Sequence, residues 1–169
     1  MSEKMALAYE HRKHAIVLAN GCEGDPSSAK DRALLRRAPH LVLDGIALAA
    51  HAIGAREAVL ALHTGSALTA VLANALAERV GDPVQVELAE MPAGFVSSES
   101  TALVNTLNTG DPRPTGVRTS TKGVRGRPTL VSNVETLAHL ALIARFGDDW
   151  YRAAGTPRSP GTTLVTVSG

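Results

Sequence analysis

The feature that most constrains the fold is a regular alternation between short apolar runs and helix-length amphipathic segments. The apolar runs at residues 14–19 and 57–62 are predicted to be strands, and residues 84–88 alternate apolar and polar side chains, as a half-exposed strand does. The segments between these runs repeat their apolar residues at helical spacing. Strands that alternate with helices are typical of a parallel sheet, because parallel strands need long crossover connections. We therefore expect a three-layer α/β fold, with a mostly parallel sheet flanked by helices.

Local signals place the remaining elements. Helices are predicted at residues 30–38, 39–53, 65–80, 99–107 and 133–146. Ser27 or Ser28 is a suitable cap for the first helix, since its side-chain oxygen can accept a backbone N–H. Pro39 suits the first turn of the second helix, and Gly54 suits its carboxyl end. Residues 108–129 are expected to be irregular, residues 149–154 to add a turn and residues 162–167 to form a further strand.

Composition limits both the core and the surface. Hydrophobic residues make up 44% of the 169-residue chain and aromatic residues only 3%, so Ala, Leu and Val must build the core. The formal net charge of +1 gives no general attraction to nucleic acid or to anionic lipid. One basic cluster, Arg118, Lys122, Arg125 and Arg127, has no aromatic residues among its members. We therefore expect no nucleic-acid partner and no direct insertion into a membrane.

The single cysteine, Cys22, excludes an internal disulfide and an all-cysteine iron–sulfur or zinc site within this sequence. The six histidines show no metal-ligand spacing, so no metal site is expected. Cys22 is predicted to be a small packed residue rather than a redox thiol. The sequence contains no signal-peptide pattern and no apolar run long enough to cross a membrane, which favours a cytoplasmic protein.

The first apolar run leads into a polar loop, ANGCEGDPSSAKDR, at residues 19–32. Ligands of parallel α/β sheets bind beyond the carboxyl ends of the strands, which is where this loop would lie. Asn20 can both donate and accept hydrogen bonds, and Glu23 and Asp25 could orient a heterocycle or a ribose. The alternative is that Asn20 caps a turn and both acids are merely solvated. The loop lacks the G-x-G-x-x-G and Walker A patterns, so neither ordinary nucleotide motif applies.

Two further segments combine turn residues with the start of a predicted helix. In GFVSSESTALVNTL, residues 94–107, Glu99 falls in the first turn of the helix. In GRPTLVSNVETLAHL, residues 126–140, Ser132 or Asn133 precedes the helix. Both arrangements are good capping chemistry, and the amides of a helix start can also hold a phosphate. The sequence leaves open whether these segments are only helix caps or also bind a ligand.

Taken together and in this order, the three segments resemble the flavoprotein subunit of respiratory complex I, an NADH-quinone oxidoreductase. They are also similar to the diaphorase subunits of NAD-linked hydrogenases and formate dehydrogenases. The family's A-N-A-D-E-S-E-P-G-T-x-K-D-R stands here as ANGCEGDPSSAKDR, and its Y-x-C-G-E-E-T-A-L stands as FVSSESTAL. Its G-K-P-T-x-V-N-N-V-E-T-L stands as GRPTLVSNVETL. The resemblance covers residues 14–169 and implies an FMN-binding α/β domain with hydride transfer from NADH to FMN.

The resemblance also implies roles for individual residues. Asn20 corresponds to an asparagine that hydrogen-bonds FMN, and Glu23 and Asp25 correspond to acids beside the flavin and the nicotinamide. Ser132 and Asn133 correspond to paired asparagines near the phosphate and ribityl chain of FMN. The implied partners are FMN, NADH and other subunits of an NADH dehydrogenase-like complex. Such a subunit would be cytoplasmic, or peripheral to the inner face of a membrane complex.

The second segment carries substitutions that bear on cofactor binding. Phe95 stands for the family's tyrosine, and Glu99 matches the first of its two glutamates. Ser98 stands where the family has a glycine, and Ser100 stands for the second glutamate. Cys22 in the first segment likewise stands for an aspartate. Losing two carboxylates removes acceptors for ribose hydroxyls, so the resemblance supports FMN binding more strongly than NADH binding.

The family's glycine-rich segment G-R-G-G-x-G-F-P-x-G-x-K-W and its four-cysteine domain have no counterpart in this sequence. If Met1 directly follows the position of G-F-P, Lys4 corresponds to the family's flavin lysine; otherwise Lys4 is an ordinary tail lysine. No iron–sulfur cluster is expected within this chain. We expect residues 1–161 to form the FMN- and NADH-binding domain and residues 162–169 to begin a ubiquitin-like domain that is not present.

Three functions therefore compete at the level of sequence. The first is a flavin-dependent oxidoreductase, in which the cofactor supplies the chemistry and no side chain of the chain is catalytic. The second is a binding or structural module that docks to partner subunits without turnover. The third is a truncated piece of a longer family member. The resemblance favours the first, and the segments that have no counterpart favour the other two.

Overall fold

A computed structural model describes residues 5–6, 14–94 and 96–167 of the chain. Its main sheet consists of β1 (Ile16–Asn20), β2 (Glu57–His63), β3 (Gln85–Met91) and β4 (Thr129–Asn133). These strands lie in the order β3-β2-β1-β4 and each neighbouring pair is parallel. A separate short ribbon pairs β5 (Gly155–Thr156) with β6 (Ser159–Pro160). The predicted α/β fold with a parallel sheet is confirmed.

Helices connect the strands of the main sheet. They are α1 (Lys30–Arg37), α2 (Pro39–Ile53), α3 (Leu68–Ala77), α4 (Ser100–Thr109), α5 (Val134–Phe146) and α6 (Asp148–Arg152). Two short 3-10 turns occur at Val96–Ser98 and Val124–Gly126. Pro39 is the first residue of α2, and Gly54 follows that helix with a left-handed φ of 68°, as predicted.

β1 and β2 are buried on both faces, which explains why they are apolar at consecutive positions, whereas the edge strand β3 is mostly exposed or half-buried. Val17 and Leu60 face a core built with α1, α2, α3 and α5. Ile16 and Val59 face the opposite core, to which α4 contributes Leu103. Successive residues of a strand point to opposite faces, so β1 supplies side chains to both cores. The predicted three layers are therefore present.

Two strand predictions are wrong. The segment TLVSN forms β4, whereas the sequence predicted an irregular stretch followed directly by a helix. β4 is short and its last residue, Asn133, also caps α5. The sequence therefore indicated the start of a helix at this position, and the strand before it was not recognised. Residues 162–167 form no strand. Their Thr-Val alternation suits a strand, but within the described residues they lie beside the starts of α1 and α5 and join neither sheet.

The amino cap of α1 also differs from the prediction. Neither Ser27 nor Ser28 occupies the cap position, which is Ala29. The Glu23 carboxylate instead accepts hydrogen bonds from the backbone N–H of Asp31 at 3.2 Å and of Arg32 at 3.5 Å. Ser28 donates its hydroxyl to the same carboxylate. A side chain from the preceding loop thus satisfies the first amides of the helix.

Candidate functional site

The three segments singled out in the sequence meet at the carboxyl ends of β1 and β4. Asn20 ends β1 and Asn133 ends β4, and the two residues are partners in the strand register. Asn133 Nδ2 donates to the Asn20 carbonyl oxygen at 3.3 Å. Asn20 Nδ2 donates to the Ser98 carbonyl oxygen at 2.8 Å, and its Oδ1 accepts from the Cys22 N–H at 3.0 Å. Residues far apart in the sequence therefore form one polar cluster.

An ionic network fixes the Asn133 side of this cluster. Asn133 Oδ1 accepts from the Glu135 N–H at 2.9 Å and so caps α5. Its Nδ2 also donates to Asp31, which is only 2% exposed, at 2.8 Å. Lys30 Nζ lies 2.6 Å from Asp31 and 3.0 Å from Glu135. The network joins the start of α1 to the start of α5, beside the end of β4.

The two charged ends of the network stabilise each other. Burial acts to lower the pKa of Lys30, but hydrogen bonds to Asp31 and Glu135 outweigh it and the pKa is raised. Burial acts to raise the pKa of Glu135, but hydrogen bonds from the Leu164 N–H, Lys30 and Thr163 outweigh it and the pKa is lowered. Both groups are therefore held in their charged forms at neutral pH.

The three acidic residues predicted to line the site each bind nearby backbone. Glu23 caps α1 as described above. Asp25 accepts from the Ser27 hydroxyl at 2.7 Å and the Ser27 N–H at 2.9 Å, and these bonds lower its pKa. Glu99 caps α4 by accepting from the N–H groups of Thr101 at 2.7 Å and Ala102 at 3.2 Å. Burial acts to raise the pKa of Glu99, but bonds from Thr101 outweigh it and the pKa is lowered.

A cavity of about 300 Å³ lies between the loop after β1 and the loop after β2. Glu23, Asp25, Arg32 and His63 are among its lining residues. His63 Nε2 lies 2.9 Å from the Glu23 carbonyl oxygen, so Nε2 carries the proton in this contact. Its other nitrogen, Nδ1, is buried and has no hydrogen-bond partner among the described residues. Nδ1 is therefore an unsatisfied acceptor within the described part of the protein.

Sequence reasoning missed His63. The signal that could have identified it is the one that identified Asn20, a polar residue at the carboxyl end of a buried apolar strand. Residues 57–62, EAVLAL, run directly into His63, and the structure extends β2 to include it. The sequence prediction ended this strand at residue 62, and the histidine was counted only among six scattered ones.

The remaining predicted site residues are distributed as follows. Ser132 is 7% exposed in β4, one position before Asn133. Ser98 ends the 3-10 turn that precedes Glu99, and its carbonyl oxygen accepts from Asn20. Lys4 and Phe95 lie outside the described residues. Their predicted contacts with a flavin remain predictions.

Cys22 lies beside this cluster but is buried, with 3% of its surface exposed. Burial, with a further contribution from the Asp31 charge, raises the pKa of the Cys22 thiol to about 12. A reactive cysteine needs a lowered pKa and exposure, and Cys22 has neither. The structure therefore supports the prediction that Cys22 is a packed residue.

We expect Cys22 to resist alkylation in the folded chain. At pH 8 the raised pKa reduces the thiolate fraction by roughly a thousandfold relative to an ordinary thiol, and the thiolate is the nucleophile. Iodoacetamide labelling followed by mass spectrometry should show slow modification of the native chain and rapid modification in 6 M guanidinium, the unfolded control. Equal rates in the two conditions would contradict the burial of this thiol.

Two further findings concern the residues that the structure describes. Within residues 5–6, 14–94 and 96–167, no three or more histidine, cysteine or acidic side chains come together in a way that could hold a metal ion. No helix in the same part of the chain has both the length and the apolar character needed to cross a membrane.

A parallel sheet with helices on both sides, with polar side chains gathered at the carboxyl ends of β1 and β4, is typical of a cofactor- or nucleotide-binding α/β domain. The family can be stated more narrowly. The model of the Nuo51 FMN-binding domain of complex I matches residues 2–142. The chain belongs to this family, and the resemblance drawn from its three segments is confirmed.

Similar proteins support the same assignment. The chain is 33% identical to the NAD-reducing hydrogenase HoxS subunit alpha of Cupriavidus necator, covering 90% of this chain and 28% of that protein. It is 30% identical to an NADH-quinone oxidoreductase subunit of Aquifex aeolicus, covering 99% of this chain and 43% of that protein. The chain thus spans less than half the length of either relative.

Solved structures give the same fold. The crystal structure of an NAD⁺-reducing [NiFe]-hydrogenase in the air-oxidized state is 39% identical, with a TM-score of 0.85. The H₂-reduced state is 35% identical, with a TM-score of 0.84. Each match covers 95% of this chain and 29% of the other chain. The chain therefore shares its fold with part of the NAD⁺-reducing [NiFe]-hydrogenase.

Proposed function

We propose that the chain is the FMN-binding module of a flavoprotein subunit that passes a hydride from a reduced nicotinamide dinucleotide to FMN. The resemblance implies NADH as that dinucleotide. The observation that carries the proposal is the convergence of Asn20, Ser98 and Asn133 at the carboxyl ends of β1 and β4. These residues come from the three segments that carry the family resemblance, and they meet where α/β sheets bind ligands.

The groups at this edge fit the chemistry of FMN. The amides of Asn20 and Asn133 and the hydroxyls of Ser98 and Ser132 match the polar ring edge and ribityl hydroxyls of a flavin. FMN, when bound, supplies the ring that accepts the hydride. The chain's own residues bind and orient it, and no catalytic side chain is assigned.

The wider context is also part of the proposal. The relatives are subunits of an NADH-quinone oxidoreductase and of an NAD-reducing hydrogenase. We infer that this chain likewise works with other subunits of such a complex, on its cytoplasmic side, with a quinone or a hydrogenase partner at the other end of electron transfer. Residues 162–169 then lead from the FMN-binding domain, residues 1–161, into a following domain.

One observation favours a second candidate function, a binding module without turnover. Glu23, Asp25 and Glu99 are the acids that the resemblance places beside the flavin and the nicotinamide, and each is bound to local backbone. If they keep these contacts, they hold helix starts in place and do not contact a dinucleotide. A chain of this kind would bind FMN but would not accept a hydride from NADH.

Titration of FMN into the purified chain, followed by flavin fluorescence, tests the proposal. We expect saturable quenching by FMN and weaker quenching by riboflavin, which lacks the phosphate. Asn20→Ala should weaken FMN binding at least about tenfold, because the half-buried amide hydrogen bonds to Ser98 and Cys22 and the geometry that they fix are lost. Asn74→Ala changes an exposed amide on α3 and should leave binding unchanged.

The outcomes separate the candidates. Saturable FMN binding followed by bleaching of flavin absorbance with NADH supports the oxidoreductase. FMN binding without reduction by any nicotinamide dinucleotide supports the binding module. Absence of saturable FMN binding, with circular dichroism showing a folded chain, would overturn the proposal for this chain.

A further inference from the structure

A second cavity, of about 340 Å³, lies on the α4 side of the sheet, beside the edge strand β4. Its wall is apolar where Val117, Leu130 and Val131 contribute, and hydroxyl-rich elsewhere. The polar lining residues are Ser100, Thr101, Arg118, Thr119, Ser120 and Thr129. No carboxylate is among the lining residues that the structure describes.

Several of these polar groups have no protein partner. Within the described part of the chain, the Arg118 guanidinium forms no ion pair. The hydroxyls of Ser100, Thr119 and Ser120 likewise form no hydrogen bond there. Thr101 differs, because its hydroxyl binds Glu99 and accepts from the Thr115 N–H at 2.8 Å. The cavity thus holds one guanidinium and three hydroxyls that remain available.

The other arginines of the same loop are already paired. Arg113 lies 2.6 Å from Asp111, Arg125 lies 2.6 Å from Glu87, and Arg127 lies 2.8 Å from Glu57, each pair measured between side-chain nitrogen and oxygen. Two of the four members of the basic cluster noted in the sequence, Arg125 and Arg127, are therefore paired with acids. Arg118 differs from them, because its charge faces a cavity rather than an acid.

A cavity lined by a guanidinium and several hydroxyls, without an acid, matches a phosphate monoester. In dinucleotide sites generally, an acidic residue binds the ribose 2′-hydroxyl of NAD, whereas an arginine accommodates the 2′-phosphate of NADP. Ser100 stands where the resembling family has its second glutamate. The carboxylate that would repel a 2′-phosphate is therefore absent, and an arginine that would attract it is present.

The cavity adjoins the proposed flavin site. Ser100 follows Glu99 and Ser98 directly, and the Ser98 carbonyl oxygen accepts from Asn20 at 2.8 Å. We propose that this cavity binds the 2′-phosphate of NADPH, so that the chain prefers the 2′-phosphorylated dinucleotide over NADH. This inference rests on the proposed function for its physiological meaning, since it names the dinucleotide that donates the hydride.

Calorimetric titration of nucleotide fragments into the chain tests the inference without any flavin chemistry. We expect adenosine 2′,5′-bisphosphate to bind at least about tenfold more tightly than AMP, as expected for a hydrogen-bonded charge pair. Arg118→Gln should remove this preference. Ser100→Glu should reverse it, because a carboxylate repels the 2′-phosphate and accepts from a 2′-hydroxyl. Arg113→Gln is the matched control, since Arg113 is already paired and lies outside the cavity.

The competing outcomes are distinct. Equal binding of the two nucleotides, no binding of either, or an unchanged preference in Arg118→Gln would overturn the inference. The phosphate of FMN is a second source of the same chemistry, so the titration is repeated in saturating FMN. Displacement of the bisphosphate by FMN but not by riboflavin would show that the cavity binds the flavin phosphate. This result would also overturn the inference. A bisphosphate preference in a chain that binds no FMN would retain the cavity assignment while the proposed function fails.

Discussion

Replacing Gly45 by alanine is expected to destabilise the chain by about 3 kcal/mol, the upper end of the usual cost of overpacking. Gly45 lies in α2 where this helix contacts α5. A Cβ at this position would lie 2.0 Å from the carbonyl oxygen of Leu137 and 2.4 Å from its carbonyl carbon. Both atoms are backbone, so no side-chain rotation relieves the clash and the helices must move apart.

The sign of this effect is informative. Alanine is the better helix former by about 1 kcal/mol, so replacing an unconstrained helical glycine by alanine would stabilise the folded chain. Urea unfolding followed by circular dichroism gives the free energy of unfolding for each variant. Gly116→Ala is the matched control, because nothing lies within 4 Å of a Cβ placed there. A Gly45→Ala variant as stable as the parent chain would contradict the close approach of α2 and α5.

The fold could be predicted from sequence where one signal dominated each segment. The first two strands are apolar, the third alternates apolar and polar residues, and helical patterns separate them; the structure contains all three. β4 could not be recognised, because five residues carry little periodic information and Asn133 serves both the strand and the cap of α5. Residues 162–167 illustrate the opposite error. Strand propensity is present, but a strand forms only where a partner strand is available.

The site was predictable in position but not in its contacts. Asn20 was predicted at the carboxyl end of a strand, where the structure has it. Asn133 was predicted only as a helix cap, and its place beside Asn20 follows from β4, which the sequence did not reveal. Their hydrogen bonds to each other and to Ser98 depend on the strand order, which the sequence does not encode locally. Arg118 shows the same limit. Sequence placed it among similar basic residues, and only the fold reveals that its neighbours pair with distant acids.

Asp31→Ala is expected to lower the free energy of unfolding by about 3 kcal/mol, as usual when one partner of a buried ion pair is removed. Asp31 is 2% exposed and accepts from Lys30 Nζ at 2.6 Å and from Asn133 Nδ2 at 2.8 Å. Without this carboxylate, the half-buried Asn133 amide loses an acceptor and Lys30 keeps only Glu135 as an acidic partner. FMN binding should weaken as well, because Asn133 is no longer fixed beside Asn20.

The matched control is Asp44→Ala, which removes an acid of the same type from an exposed ion pair. Asp44 lies 2.8 Å from Arg79, but its side chain is 54% exposed, and such surface pairs contribute below about 1 kcal/mol. Urea unfolding gives the free energy of unfolding of both variants, so the loss of an aspartate from a buried position is compared with its loss from an exposed one. Asp31→Asn keeps the shape and one acceptor, so it should fall between the parent chain and Asp31→Ala. If Asp31→Ala were no less stable than Asp44→Ala, the ionic network would contribute little to the stability of the site. The position of Asn133 would then have to come from the capping of α5 alone.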